Sequence, residues 1–384
     1  MTESNTFLLT NARVVLDHHI IDCGYVAVAD GRIVEIGDGP APERGVDFNG
    51  DLLLPGLIEL HTDHLEAHYT PRPKVQWDPV AAVVSYDAQI ATSGITTVLD
   101  SLRVWREEGA GDADGQAGEL AAAIDKTRDN GLLRIEHYLH LRCEVPMPKV
   151  VEDASALIDR PDVRLMSLMD HTPGQRQFRD QEKLREYYRG KSGGMTDAQL
   201  DEMFARRVEN SERYGADNYR ELLMLAARHN TPLASHDDTT LDHVDQALTD
   251  KVAVAEFPTT VEAAEKLHAG GIRVLMGAPN LVRGGSHSGN VATSALADAG
   301  LLDILSSDYV PSSLLLAALR LPRTSPRYDL AAAIRTVTKT PAEVVGLCDR
   351  GEIAIGKRAD LIRVHQTADG AGVRSVWNAG RRVA

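Results

Sequence analysis

The sequence is poor in cysteine and has no long apolar run. Its three cysteines, Cys23, Cys143 and Cys348, lie far apart and show no CxxC spacing, which excludes a cysteine-based zinc or redox motif and indicates reduced thiols. No segment reaches the ~18 apolar residues that cross a bilayer, and the N-terminus lacks the basic and apolar regions of a secretion signal. We therefore expect a cytoplasmic protein with no membrane partner.

The sequence also lacks clustered positive charge. Its 41 lysines and arginines stand against 56 aspartates and glutamates, which gives a net charge of −15. Nucleic-acid binding needs lysine and arginine gathered over one face, so we expect no nucleic-acid partner. A small anionic, phosphorylated substrate stays compatible with this charge if cations are gathered locally.

The pattern along the chain divides it into β-rich ends and a differently organised middle. Both ends alternate short β-branched runs with Asp-Gly and Gly turns, which predicts one small β-sandwich domain built from residues 1–54 and 350–384. Residues 55–349 alternate about eight apolar strands with amphipathic helices. This α/β pattern predicts a (β/α)8 TIM-like barrel, with a doubly wound sheet as the rival. Residues 175–220 are charged and predict a helical insertion near the end of the fourth strand.

Polar residues stand where almost every predicted barrel strand ends, and these ends meet at one face of a barrel. In the triplet HTD, the two-residue period of a strand turns His61 and Asp63 to the same side. Imidazole and carboxylate are ligands that Zn²⁺ prefers, and a catalytic zinc site keeps a position open for water. The triplet therefore predicts a metal site, against the alternative of a hydrogen-bonded strand end.

Two longer motifs carry a resemblance to a known family. PGLIELHTD resembles the opening motif of the amidohydrolase superfamily, and GEIAIGKRADLIRV resembles its return into the small β domain. SLMDHTPGQRQF, MGAPNLVRGGSHSGN and LSSDYVPSSLL resemble the phosphonate-degradation members of that superfamily. The resemblance runs from about residue 50 to about residue 360. It implies a barrel enzyme with one or two divalent metal ions, zinc first, with Mn, Fe or Ni as alternatives.

The resemblance also implies a ligand set, in which Glu144 takes a bridging place and Asp308 binds metal and acts as the general base. The implied metal ligands are His61, Asp63, Glu144, His171, His236 and Asp308. Strand six, in EFPTT, offers no histidine, so the ligands of a second metal stay open. A salt bridge to Arg142 is the alternative role of Glu144. We expect Asp170, Asp237 and Asp238 to support the histidines by hydrogen bonds, because metal-bound imidazoles usually have such partners.

Residues suited to anions follow several of these strands. The loop APNLVRGGSHSGN (278–290) combines small residues with polar ones, although it is not a P-loop and also fits a plain glycine-rich turn. Arginine forks match phosphate oxygens, although each arginine also fits an ordinary surface charge. We assign the segment after His61 and Asp63 to a pocket-shaping loop. The predicted substrate-binding residues are His64, Glu66, His68, Arg72, Lys74, Arg142, Arg176, Arg283, Ser286, His287, Ser288 and Asn290.

The function implied by the resemblance is hydrolysis of α-D-ribose 1-methylphosphonate 5-triphosphate to the 5-phosphate and diphosphate by metal-activated water. One alternative is a metal-dependent deacetylase or deaminase acting on a phosphorylated small molecule, since the scaffold and ligands would be nearly the same. Another, from a different class, is a non-catalytic barrel scaffold. The fold class admits a homodimer, and the resemblance admits association with other phosphonate-pathway proteins.

Overall fold

Eight parallel strands form a barrel in the middle of the chain. The computed structural model describes residues 6–72, 75–105, 116–176, 182, 184–185, 189, 196–286 and 289–384. The barrel strands, each paired with the next along the chain, are β6 (Leu57–Thr62), β7 (Ile95–Val104), β8 (Glu136–Glu144), β9 (Val163–Met169), β10 (Leu233–His236), β11 (Val254–Glu256), β12 (Arg273–Gly277) and β13 (Ile304–Ser306). The first and last strands meet where the Asp308 backbone N–H donates to the His61 carbonyl at 3.2 Å. The predicted barrel is confirmed.

The two ends of the chain share a second, mixed sheet, in which β14 pairs antiparallel with β5. Its strands are β1 (Phe7–Val15), β2 (Ile20–Ala29), β3 (Arg32–Asp38), β4 (Val46–Asp47), β5 (Leu52–Pro55), β14 (Leu361–Gln366), β15 (Ala371–Asn378) and β16 (Arg381–Arg382). The Trp377 ring stacks between the rings of Phe7 and Phe48, with centroids 6.4 and 6.0 Å away. The termini therefore have a small apolar core of their own.

Helices follow the barrel strands and cover the outside of the barrel. We label the described ones α1 (His64–Tyr69), α2 (Pro79–Thr92), α3 (Gln116–Asp129), α4 (Val150–Ile158), α5 (Asp197–Asn210), α6 (Ala216–His229), α7 (Leu241–Thr249), α8 (Val261–Ala269), α9 (Ala278–Arg283), α10 (Thr293–Ala299), α11 (Ser313–Thr324), α12 (Leu330–Arg335) and α13 (Lys339–Val344). A π-helical turn, Ser211–Gly215, joins α5 to α6, and Thr196 begins α5 with a capping box. Within the segment 175–220, the stretch from Asp197 onward is helical. No helix in the described ranges is long and apolar enough to cross a membrane.

Because successive residues of a strand point to opposite sides, each barrel strand has one face toward the helices and one face toward the barrel interior. In β8, Leu139, Leu141 and Cys143 pack into the core between strands and helices. The alternate residues His140, Arg142 and Glu144 are polar and buried, and they face the barrel interior at its carboxyl end. Below them, apolar side chains such as Leu99, Leu165 and Ile304 fill the barrel.

Two segments that we predicted as loops form short helices. Helix α1 follows Asp63 directly, so the HTDHLEAHY segment turns from strand to helix within one residue. Helix α9 begins after Gly277, has Pro279 in its first turn and ends at Gly284, whose φ of 84° lies in the left-handed region. Proline near a helix start and glycine just past its end favour a short helix of this kind. The apolar pattern of the segment is too short to predict the helix by its periodicity.

Candidate active site

A cavity of about 600 Å³ opens at the carboxyl ends of the barrel strands. Its polar lining includes His61, Asp63, Arg103, Arg142, His171, His236, Asp237, Asn280, Arg283, Ser286, Asn290, Asp308 and Tyr309. Phe257, Met276 and Val291 contribute apolar surface to the same cavity. The structure therefore brings most of the predicted metal ligands into one cavity together with three arginines.

One buried carboxylate holds two of these histidines. Glu256 Oε1 lies 2.8 Å from His61 Nδ1, and Glu256 Oε2 lies 3.0 Å from His236 Nδ1. Burial opposes ionisation of Glu256, but the surrounding imidazoles keep the pKa of this carboxyl well below its ordinary value. An ionised Glu256 accepts hydrogen bonds from the Nδ1–H groups of both rings, which leaves the Nε2 atoms for other partners.

Glu144 holds a third histidine. It accepts the His171 backbone N–H at 2.8 Å and lies 2.6 Å from His171 Nδ1. Burial alone would raise the pKa of Glu144 and lower that of His171. Their mutual attraction outweighs burial, so the pKa of Glu144 is lowered and that of His171 is raised. Glu144 thus contacts a predicted ligand, and the alternative of a salt bridge to Arg142 is not among the ion pairs of the described residues.

Asp237 brings an oxygen to the Nε2 atoms of His171 and His236. Its Oδ2 is buried, has no hydrogen-bond partner among the described residues, and lies 3.4 Å from His236 Nε2 and 4.0 Å from His171 Nε2. One ligand atom from each of these three residues falls within 4.8 Å of the others. Two imidazoles and a carboxylate form a donor set that suits a divalent transition metal, so the residues present fit such an ion.

A second group of the same kind lies deeper in the barrel and consists of His61, His140 and Glu256. His140 Nε2 lies 2.5 Å from Ser167 Oγ, and its Nδ1 lies 2.9 Å from the Leu60 carbonyl. Burial lowers the pKa of His140 to about 3, so its ring is neutral at physiological pH. Because both ring nitrogens of His140 already have partners, this group is best described as a hydrogen-bonded support beneath the cavity.

Asp308 lies at the cavity with its backbone in the left-handed region, at a φ of 53°. Burial, together with the negative charge of Asp63, raises the pKa of Asp308 to about 6. A carboxyl with this pKa is ionised at neutral pH and holds a proton more readily than an exposed aspartate. This property suits a general base.

Asp63, the other half of the HTD triplet, faces two arginines. Its Oδ2 lies 3.3 Å from Arg103 Nη2 and 3.9 Å from Arg142 Nη1. Arg103 also contacts Glu66, with its Nε 3.0 Å from Glu66 Oε2. Asp63 therefore lines the cavity beside His61, as the strand period predicts, and carries ion pairs there.

Several predicted substrate-binding residues lie away from the cavity. His64 and His68 each bring Nε2 to Gln89 Oε1, at 3.1 and 2.7 Å, and they line a separate pocket beside α1 and α2. Arg72 is exposed. Arg176 donates to the His236 carbonyl at 2.7 Å, so its guanidinium is bound to the backbone at the end of β10. Lys74, His287 and Ser288 lie outside the described residues.

The three predicted supporting aspartates have different partners. Asp170 Oδ1 accepts the Thr172 backbone N–H at 2.9 Å and so shapes the turn after β9. Asp238 binds Arg176 at 2.9 Å and Ser235 Oγ. Asp237, by contrast, reaches the histidines directly.

Sequence reasoning missed four residues around His61, namely the buried Glu59, His140 and Glu256 and the partly buried Phe257. Glu59 accepts the backbone N–H groups of His61 at 2.8 Å and of Ser307 at 2.6 Å, and burial raises its pKa to about 7. Glu256 ends β11 on the same inward period as Val254, so an acidic residue closing an apolar strand was the available signal. A local pattern gives no indication of which distant histidines it contacts.

Comparison with known proteins identifies the family. The sequence model described as "Amidohydrolase family" matches residues 88–384. The chain belongs to the amidohydrolase family. The resemblance inferred from the motifs is thereby confirmed, and so is the prediction of a hydrolytic enzyme.

Relatives of this amidohydrolase cover nearly all of its length. It is 45% identical over 379 residues, 98% of this chain and all of the relative, to the alpha-D-ribose 1-methylphosphonate 5-triphosphate diphosphatase of Escherichia coli (strain K12). It is 23% identical to an imidazolonepropionase of Deinococcus deserti, over 94% of this chain and 92% of that one. The solved N-acetyl-D-glucosamine-6-phosphate deacetylase of Mycobacterium smegmatis superimposes with a TM-score of 0.63 at 16% identity, covering 98% of this chain and 100% of that one, which shows a shared fold.

Proposed function

We propose that this amidohydrolase is a metal-dependent diphosphatase of phosphonate metabolism that hydrolyses α-D-ribose 1-methylphosphonate 5-triphosphate to the 5-phosphate and diphosphate. The observation that carries the proposal is the 45% identity, over 98% of this chain, to a diphosphatase named for that substrate. The three arginines in the cavity support it, because a triphosphate needs concentrated positive charge that the acidic chain as a whole does not offer.

We infer that a divalent metal is held between His171, His236 and Asp237. The unpartnered Oδ2 of Asp237 supports this position, because a buried carboxylate oxygen without a partner is costly unless a cation or donor satisfies it. We further propose that the remaining predicted ligands, His61, Asp63, Glu144 and Asp308, bind or support the metal or a second ion. A divalent ion supplies Lewis acidity there, which makes water a stronger acid and a phosphoryl group a better electrophile.

Side chains of the protein accept the proton and neutralise charge during hydrolysis. The oxygen of a water molecule forms a bond to the first phosphorus, next to the ribose. The bond from that phosphorus to the oxygen bridging it to the second phosphoryl group breaks, and the leaving oxygen keeps the electron pair. Asp308 accepts the proton of the water, in keeping with its raised pKa of about 6. Arg103, Arg142 and Arg283 offset the negative charge of the phosphates.

The experiment is an assay of the purified protein after reconstitution with Zn²⁺, Mn²⁺, Fe²⁺ or Ni²⁺, with diphosphate release as the readout. We expect metal-dependent release of diphosphate from the ribosyl triphosphate and no release by the His236→Ala variant. N-acetyl sugar phosphates and amino-substituted phosphorylated substrates serve as the comparison, with acetate or ammonia as the product. Release of acetate or ammonia without diphosphate would contradict the proposal, and so would metal-loaded protein that hydrolyses none of them.

A further inference from the structure

The three arginines of the cavity lie at different depths. The side chain of Arg142 is 11% exposed and that of Arg103 is 29% exposed, whereas Arg283 stands exposed at the end of α9. They also come from different elements, β8, β7 and α9, so their spacing is fixed by the barrel and not by one flexible loop. Positive charge is therefore distributed from the interior of the cavity to its rim.

Arg142 is the deepest of the three, and two of its buried donor atoms are unsatisfied. It shares the inward face of β8 with His140 and Glu144. Its Nε and Nη1 atoms are buried and have no hydrogen-bond partner among the described residues, and the contact at 3.9 Å from Asp63 is a loose one. A buried guanidinium with unsatisfied donors is costly, so its retention at a cavity wall points to an anion that supplies the acceptors.

Arg103 differs because it already has two carboxylate partners, Asp63 and Glu66, and its guanidinium lies 5.5 Å from the centre of the Trp105 ring. These contacts fix its position and offset much of its charge. Arg103 therefore holds Asp63 in place beside Arg142 and is not the principal anion-binding group.

Arg283 lies at the cavity rim and is linked to the residue that follows Asp308. Its Nη1 donates to the Tyr309 hydroxyl at 3.4 Å, which is a long and weak hydrogen bond that a phosphate oxygen can replace. Ser286 and Asn290, on the segment after α9, line the same part of the cavity and offer neutral hydrogen-bond donors. The rim thus combines one exposed cation with small polar groups.

We propose that Arg142 and Arg283 divide the polyphosphate between them, with Arg142 binding the phosphoryl group that is attacked and Arg283 binding the outer diphosphate. This inference rests on the proposed function. Arg142 lies beside Asp63, His171 and Asp308 in the cavity wall, where charge changes during the reaction. Arg283 holds the part of the substrate that must return to solvent. Arg142 therefore affects kcat, and Arg283 affects substrate and diphosphate affinity.

The test compares Arg142→Gln, Arg142→Lys and Arg283→Gln in the metal-reconstituted, full-length protein. Arg142→Gln should lower kcat about 100-fold, as loss of one donor to a developing charge does, and Arg142→Lys should recover part of that loss. Arg283→Gln should raise KM and weaken calorimetric binding of inorganic diphosphate about tenfold while kcat changes little. Arg273→Gln, at the opposite end of the barrel and paired there with Asp303, serves as the matched control.

Diphosphate binding separates this inference from the proposed function. If the wild-type protein does not cleave the ribosyl triphosphate but binds diphosphate through Arg283, the function fails and the assignment of Arg283 stands. If it cleaves the substrate and Arg142→Gln keeps its kcat while still binding diphosphate, the function stands and the division of roles is refuted. Equal effects of both substitutions on kcat and on diphosphate affinity would also refute it. Retained diphosphate binding by Arg142→Gln shows that this variant is folded.

Discussion

Replacing Glu256 by glutamine should weaken metal binding by this amidohydrolase, although Glu256 is not itself expected to bind the metal. The carboxylate places one oxygen 2.8 Å from His61 Nδ1 and the other 3.0 Å from His236 Nδ1. It also accepts Ser167 Oγ at 2.8 Å. Glutamine keeps the shape of the side chain but has one acceptor oxygen, so one imidazole would face an amide N–H in place of an acceptor.

The magnitude follows from these contacts. A hydrogen bond to a charged group contributes about 1.5 to 3 kcal/mol, and loss of a carboxylate that orients a metal-binding histidine typically lowers metal affinity about 10- to 100-fold. Because a single carboxylate orients two histidines, we expect Glu256→Gln to lie near the upper end, at about 100-fold, or roughly 2.7 kcal/mol. Part of the change should also appear as lower stability, since the substitution leaves a mismatched donor in a buried site.

The assay titrates metal-free protein with Zn²⁺ in competition with a chromogenic chelator, and ¹⁵N spectra of the imidazoles report which ring nitrogen carries the proton. Glu136→Gln is the matched control, because Glu136 begins β8 at the opposite end of the barrel and pairs with Arg358 at 2.8 Å. We expect the control to keep wild-type affinity. Wild-type affinity and unchanged imidazole spectra in Glu256→Gln would show that Glu256 does not position these histidines.

Three further predictions test the site and the fold. His61→Ala should abolish turnover and lower bound metal, measured by elemental analysis, whereas His68→Ala should leave metal content largely unchanged; equal loss in both would contradict our partition of the HTDHLEAH segment. Burial alone would lower the pKa of His137, but Asp100 and Asp87 raise it from 6.5 to about 9. The stability that protonated His137 contributes is therefore complete below about pH 6.5 and is lost as pH rises through about 9. His137→Gln should lower the free energy of unfolding in urea by on the order of 3 kcal/mol at pH 6 and by much less at pH 10. A constant difference would refute this linkage. Gly56→Ala would place a Cβ 2.1 Å from Thr96 Oγ1 and should lower stability by about 2 kcal/mol in thermal unfolding; an unchanged midpoint would show that β7 can shift.

The barrel could be predicted from the sequence because short apolar runs, almost all of them closed by a polar residue, alternate with amphipathic helices. His61 and Asp63, which the strand period predicts to lie on one side, both line the cavity. Some of the observed strands are very short, as in β11, which spans only Val254–Glu256. Period and composition are local properties, and they indicate which residues face inward but not where a strand ends.

The contacts within the site could not be predicted in the same way. Glu256 contacts His61 across 195 positions of sequence, and the partner depends on how the barrel closes. We expected Asp237 to support a histidine by a hydrogen bond. Its Oδ2 instead lies near the Nε2 atoms of two histidines, His236 and His171. The reason is its backbone: a φ of 55° directly after β10 turns the side chain out of the strand period. Sequence periodicity assumes extended backbone, so it fails at such a residue.

Residues with left-handed backbone follow the carboxyl ends of three barrel strands, where the cavity lies. Asp237, Phe257 and Asp308 have φ values of 55°, 55° and 53°, and all three line the cavity. Each such conformation costs a non-glycine residue about 1 to 3 kcal/mol, so the surrounding structure must enforce it. Phe257 shows how: its backbone N–H donates to Leu275 at 2.8 Å, and its ring packs edge-on against His61 and His236, with centroids 5.0 and 5.5 Å away. The rings that Glu256 holds through Nδ1 are therefore also fixed from the side by Phe257. Asp237 and Asp308 reach the cavity from such strained positions, so the barrel itself sets the geometry of the proposed metal site.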